Sequence, residues 1–138
     1  MSEDNCFTHD KPEIINIQNE TTKNNYYRKE IWTGEHLQVT VMAIPPKGEI
    51  GLEIHNDTDQ FLRIVQGVGS VYMGETKKDV KLIGYANPEC AILIPANTWH
   101  NVVNEQNMPL KLYSIYAPPH HKKGTIHKTK FDSDLAED

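Results

Sequence analysis

Turn-forming residues punctuate this chain at short, even intervals, and that spacing constrains the fold more than any other feature. Thr33-Gly34-Glu35-His36, Pro45-Pro46-Lys47-Gly48, Asn56-Asp57-Thr58-Asp59, Gly67-Val68-Gly69, Asn87-Pro88-Glu89 and Ala117-Pro118-Pro119 each break an apolar or β-branched run. Glycine reaches backbone angles other residues avoid, proline removes a ladder donor, and Asn or Asp bonds its own backbone, so such clusters end strands. Between them lie runs of strand length, such as Tyr27 to Trp32, Leu37 to Ile44, Gly51 to His55, Gln60 to Gln66, Cys90 to Ile94 and Leu110 to Tyr116. Cys90 to Ile94 reads as fully buried. In the Leu37 run, alternation puts Leu37, Val39, Val41 and Ala43 on one face and Gln38, Thr40, Met42 and Ile44 on the other. About nine or ten short strands and no helical period argue for an all-β sandwich or barrel. A jelly roll closes its edges without helices and is the expected architecture.

The strand pattern occupies residues 25–119, a length that suits one domain with a real core. Residues 1–24 read as a polar leader whose apolar patch, Ile14-Ile15-Asn16-Ile17, is expected to lay a short strand on an edge; its His9 has no partner at ligand spacing. Residues 120–138 read as a frayed tail with His120 and His121 in solvent. A formal charge of −5, spread along the chain, predicts solubility and no nucleic-acid partner. No apolar run approaches the ~20 residues of a membrane helix, and Met1-Ser2-Glu3-Asp4-Asn5 lacks the regions of a signal peptide. Cys6 falls in the leader and Cys90 opens a strand, so no structural disulfide is expected and a cytoplasmic setting fits. The run Tyr27 to Trp32 would otherwise be an exposed edge, which makes it the expected contact of a homodimer.

The chemistry concentrates in two places. Glu53 and His55 are two apart on a strand, so both leave from one face, while Leu52 and Ile54 leave from the other. Taken alone, that strand could simply have one face in water. Gln60 follows the Asn56–Asp59 turn and would return beside His55 if the two strands are antiparallel neighbours. Alternation through Leu62 and Ile64 favours Gln60 over Asp59 as the inward residue. His100 closes Pro95-Ala96-Asn97-Thr98-Trp99-His100, where Asn97 tolerates the left-handed conformation of a tight turn. A carboxylate, two imidazoles and an amide oxygen form a borderline-hard donor set, suited to a divalent transition metal such as Mn, Fe, Ni, Co or Zn. The lack of thiolate argues against a structural zinc site.

These two segments resemble the paired motifs of the cupin superfamily, over most of the stretch from about Leu37 to Tyr116. The first cupin motif runs Gly, five residues, His-x-His, three or four residues, Glu, six residues, Gly; here the chain aligns from around Gly48 through Glu53-Ile54-His55 to Gln60, with Gly67 closing it. In the second, Pro95, Asn97, His100 and Asn104 fall at the family's spacing, with Asn97 and Glu89 standing where glycines are usual. The resemblance implies a double-stranded β-helix (jelly-roll) barrel and implies Glu53, His55, Gln60 and His100 as metal ligands. It also marks a departure: Glu53 stands at the first His position and Gln60 at the Glu position. One carboxylate is retained, so the charge of the donor set is unchanged.

The chain is similar to small single-domain cupins described as like mannose-6-phosphate isomerase. That implies a metal-dependent enzyme acting on a small polar metabolite, with the ion as Lewis acid. Isomerisation also needs a base, and no residue is assigned to it; Arg63 and Lys47 are the only cations near the motifs. The alternatives are a non-haem metal dioxygenase, which asks less of protein acids and bases, and a non-catalytic module that holds a small ligand in its cavity. Of Tyr113 and Tyr116, on opposite faces of the last strand, at most one lines that cavity. Trp99 reads as wall packing, and Asn104 as the tie of a turn.

Overall fold

A computed structural model describes residues 10–136; Cys6 and His9 lie outside them. Nine strands form the body: β1 (Arg28–Thr33), β2 (Gln38–Ile44), β3 (Asp59–Gln66), β4 (Gly69–Gly74), β5 (Lys81–Ala86), β6 (Ala91–Ile94), β7 (Trp99–Val103), β8 (Leu110–Ala117) and β9 (Ile126–His127). All pairings are antiparallel. One sheet has the order β6-β3-β8-β2-β1-β9 and the other β5-β4-β7. This is the all-β jelly roll that the strand spacing and the cupin resemblance led us to expect.

The inward faces form layers. Across β2 and β8 the register pairs Gln38 with Tyr116, Thr40 with Ser114, Met42 with Leu112 and Ile44 with Leu110. Across β3 and β8 it pairs Gln60 with Tyr116, Leu62 with Ser114 and Ile64 with Leu112. Side chains alternate along a strand, so each of these rows points into the barrel. All are fully buried or nearly so. Along these three strands the row changes from Leu, Ile or Met at one end to Gln, Thr, Ser or Tyr at the other. The apolar end, with Leu62, Ile64, Leu110, Leu112, Val71 and Val102, belongs to the hydrophobic core, where each large aliphatic side chain contributes about 1.5–3 kcal/mol by leaving water.

Five expectations need correction. The segment around Gly51 to His55 does not pair with β3. It lies along β7, joined by isolated bridges Glu49–Val103 and Glu53–His100. Gly51, at φ +106°, breaks the ladder between them, and its freed N–H is taken up by Asn101 Oδ1 at 2.8 Å. Strand β6 is not fully buried: it is the edge of its sheet, and Ala91 and Leu93 face outward.

The leader holds a helix, α1 (Ile17–Lys23), in place of an edge strand. Asn16 caps it by accepting from Asn19 N, and buried Lys111 reaches the carbonyl of Thr22 near its C-terminal end. The tail is not frayed. Its β9 pairs with β1, and α2 (Lys130–Leu135) follows, with Thr129 as N-cap. Strand β1 is therefore not an open edge, because Arg28 and Lys29 pair with His127 and Ile126. That removes the reason for placing a dimer contact there.

Two buried side chains hold the tail down. Gln38 Oε1 accepts from the N–H groups of His120 and His121, and its Nε2 donates to the His121 carbonyl at 2.7 Å. Glu30, almost fully buried, accepts from Gly124 N at 2.8 Å and from the Thr33 hydroxyl. A buried amide or carboxylate left without partners costs about 1–3 kcal/mol. The strap over residues 120–124 satisfies both.

Candidate metal centre

Strand β7 and the segment beside it build the centre. Glu53 N donates to His100 O at 3.0 Å and His100 N to Glu53 O at 2.9 Å. This is a closely bonded antiparallel pair, so the two side chains stand together on one face. His100 is on the inward row of β7 with Val102, opposite Met73 and Val71 of β4. His55, two residues beyond Glu53, shares that face. Its carbonyl accepts from Asn97 N at 2.7 Å, and Asn97 sits at φ 66° as its residue type allows. The left-handed turn thus locks the His55 backbone to the start of β7.

The ligand atoms of Glu53, His55 and His100 converge within 4.8 Å of one another. Glu53 Oε2 lies 3.3 Å from His100 Nε2 and 3.5 Å from His55 Nε2. Neither contact is aligned as a hydrogen bond, and both imidazole nitrogens are buried without a partner among the described residues. His100 Nδ1 meets the Thr98 carbonyl at 2.8 Å. A carbonyl only accepts, so Nδ1 carries a proton, which leaves Nε2 as the nitrogen turned toward Glu53. Burial pushes the Glu53 carboxyl up, but its contacts with His100 and His55 outweigh that and hold it well below the usual carboxylate range. An ionised carboxylate facing two imidazole nitrogens at 3.3 and 3.5 Å is an arrangement that either a shared proton or a metal cation can fill.

Gln60 stands on the inward row of β3, opposite Tyr116. Its Nε2 donates to Ser114 Oγ at 2.8 Å, and its Oε1 is buried with no partner among the described residues. The Tyr116 ring in turn meets His55 edge-on, centroids 6.0 Å apart, which puts Gln60 in the same layer of the barrel as the cluster. Asp59 points away, accepting from Ala96 N at 2.9 Å. Asn104 ties its turn through Ile44, Pro45 and Met108 carbonyls. Trp99 is half-buried with Lys77 Nζ 5.6 Å above its ring. Tyr113 stacks on Phe61 instead of entering the barrel.

The tail supplies what the sequence reading missed. His120 is half-buried, its ring 4.3 Å from that of His55 and stacked near Tyr116. His121 packs edge-on against Tyr116 and against His120. A cavity of about 330 Å3 opens beside Glu53, walled by Arg28, His120, His121, His127 and Lys130. Arg63 and Lys47 are elsewhere, bonded to the carbonyls of Pro88 and Glu105. One signal for the tail was legible: Gln38 shares its strand face with Met42 and Ile44, and a polar group on a buried row needs partners.

Comparison with known proteins agrees with this architecture. A family model for the cupin domain, Cupin_2, matches residues 40–116. An uncharacterised Bacillus subtilis protein, YrkC, is 52% identical over 128 residues, covering 93% of this chain and 69% of the relative. An uncharacterised protein of Acanthamoeba polyphaga mimivirus is 42% identical over 114 residues, covering 82% of this chain and 69% of its own length. Among solved structures, a Bacillus halodurans protein superposes with a TM-score of 0.84 at 49% identity, covering 91% of this chain and 95% of that one.

Proposed function

Because the chain belongs to the cupin family, we propose that it binds a divalent transition metal through Glu53, His55, His100 and Gln60 and acts on a small polar metabolite. The observation that carries this reading is the set of three buried polar atoms without a hydrogen-bond partner among the described residues, His55 Nε2, His100 Nε2 and Gln60 Oε1, the first two beside the ionised Glu53 carboxylate. Each would cost about 1–3 kcal/mol if left alone, and one cation satisfies all of them. Two imidazoles, a carboxylate and an amide suit Mn, Fe, Zn or Ni. When bound, the ion would supply Lewis-acid polarisation of a substrate oxygen.

Within this reading the reaction is isomerase-like, with His120 as the group that moves a proton. Histidine is the side chain best fitted to such transfer, and this one lies over His55 at the mouth of the cavity. The phosphate of a sugar phosphate has no support from Arg63 or Lys47, which lie outside the cavity. A dioxygenase is the second reading, favoured by the two-histidine, one-carboxylate core. Aldose–ketose interconversion under nitrogen and oxygen uptake in air separate the two. The isomerase reading expects turnover under nitrogen that His120→Ala lowers by about 10²-fold or more; oxygen uptake with no anaerobic turnover sinks it. Binding without turnover in either assay would favour a non-catalytic module.

The reading also takes a homodimer in the cytoplasm as the working form. With β1 covered by β9, an edge that remains open is β6, where Leu93 is 65% exposed. Light scattering at twice the mass of one chain supports it, and a monomer mass rejects it.

A further inference from the structure

Arg28 is the group for which the metal centre gives no account. It stands on β1 at the cavity wall, 4% exposed. Among the described residues no carboxylate pairs with it. From Nη1 it donates to Ser133 Oγ at 2.7 Å and meets His127 Nδ1 at 3.1 Å, and a side-chain hydrogen bond also links it to the neutral Tyr116. Since Nη1 only donates, His127 Nδ1 accepts, and that ring is neutral. The guanidinium carbon lies 5.3 Å from the centre of the Tyr27 ring. Its Nε is buried without a partner. A buried guanidinium bonded only to neutral groups is expensive, because its desolvation is not offset by an opposite charge.

The other charges of the wall already have partners. Asp134 is bridged by Lys130 at 3.0 Å, Glu49 accepts from Asn101 Nδ2 at 2.8 Å, and Glu53 faces the two histidines. Taken with neutral histidines, the lining carries two cations, Arg28 and Lys130, against three carboxylates. A divalent ion at the centre turns that deficit of one charge into a surplus of one. On the proposed metal binding, then, the cavity has a place for a single negative charge, and Arg28 is the cation still free to receive it.

We propose that this cavity is the substrate subsite and takes a small hydroxy acid, its carboxylate held by the Arg28 guanidinium and its hydroxyl turned toward Glu53. A planar guanidinium matches a planar carboxylate through two parallel bonds, whereas a lysine offers only a point charge. The volume, about 330 Å3, is near the lower end of ligand pockets, which run from about 300 to 1,000 Å3. That selects an acid of a few carbons. Ser133 accepts from Arg28, so its own hydroxyl proton is available to a second carboxylate oxygen.

The test is calorimetric titration of the full chain, metal-loaded and chelator-stripped, with glycolate, acetate and inorganic phosphate, alongside elemental analysis of each variant. Glycolate is expected to bind the loaded protein more tightly than acetate or phosphate, and more tightly than it binds the stripped protein. Arg28→Gln should weaken it at least tenfold with metal content unchanged, Arg28→Lys by an intermediate factor, and Ser133→Ala about threefold. Equal glycolate binding by wild type and Arg28→Gln would overturn the subsite, as would phosphate binding more tightly than glycolate. Protein that holds no metal but binds glycolate through Arg28 would overturn the metal reading and leave the acid subsite standing. Should Arg28→Gln fail to fold, a wild-type crystal soaked in glycolate decides: carboxylate density on Arg28 supports the assignment, and density elsewhere or none overturns it.

Discussion

The two ends of the barrel interior are built on the same strands and serve opposite purposes. At one end β2, β3 and β8 turn Met42, Ile44, Leu62, Ile64, Leu110 and Leu112 inward; a few residues along, the same rows present Thr40, Gln38, Gln60, Ser114 and Tyr116. The apolar end has nothing left to satisfy. The polar end is equally buried, yet it keeps unpartnered nitrogen and oxygen atoms on Arg28, Thr40, His55, Gln60 and His100. Folding alone does not explain such a grouping, since buried polar groups are nearly always paired. The difference separates the part of the molecule that holds the fold from the part that is prepared for a ligand.

Substitutions at the two ends should therefore fail in different ways. The largest effect on stability belongs to the apolar end: Leu112→Ala should cost about 2–5 kcal/mol in urea unfolding, while bound metal in the folded fraction stays unchanged. Loss of metal without loss of stability there would break the comparison. Next comes the strap. Gln38→Leu removes four hydrogen bonds to Thr33, His120 and His121 and should cost about 1–3 kcal/mol. Amide exchange should accelerate across residues 120–127 and remain slow in β8. Uniform acceleration would mean the tail is not held separately.

A smaller effect is set by pH. Burial, followed by the charge of Arg28, pushes the His121 imidazole down to about 2. The unfolded chain binds this proton near pH 6.5, and the native state does not until far lower. Stability is thus complete above about pH 6.5 and falls as pH drops, by up to about 1.4 kcal/mol per unit from this group. His121→Gln should flatten the acid limb of a plot of unfolding free energy against pH. An unchanged slope would show that His121 is protonated in the native state. The smallest effect on stability is expected at the centre itself: His100→Ala in metal-free protein should change it by under about 1.5 kcal/mol, because it removes an unsatisfied group along with its packing.

Much of the fold could be read in advance because turn chemistry and alternation are local. Gln60 faces inward as its period with Leu62 and Ile64 requires, Asn97 takes the left-handed turn, and Asn104 ties its loop. Strand pairing is not local. Glu53 to His55 lies far closer in sequence to β3 than to β7, and only the break at Gly51 with its partner Asn101 brings it beside His100. The tail escaped for a related reason. Residues 120–136 lack apolar periodicity, and what orders them is the unmet hydrogen bonding of Glu30 and Gln38, 94 and 83 residues earlier than their partners. With the tail misread, Arg28 and His120 could not be recognised as neighbours of the centre.

The central claim is that the polar end is a metal centre, and the metal content of protein that has never met a chelator tests it most directly. Elemental analysis should find close to one equivalent of a divalent transition metal in the wild-type chain and far less in His55→Ala and in His100→Ala, with both variants folded. Wild-type protein carrying far below one equivalent, or alanine variants that keep their full complement, would contradict it.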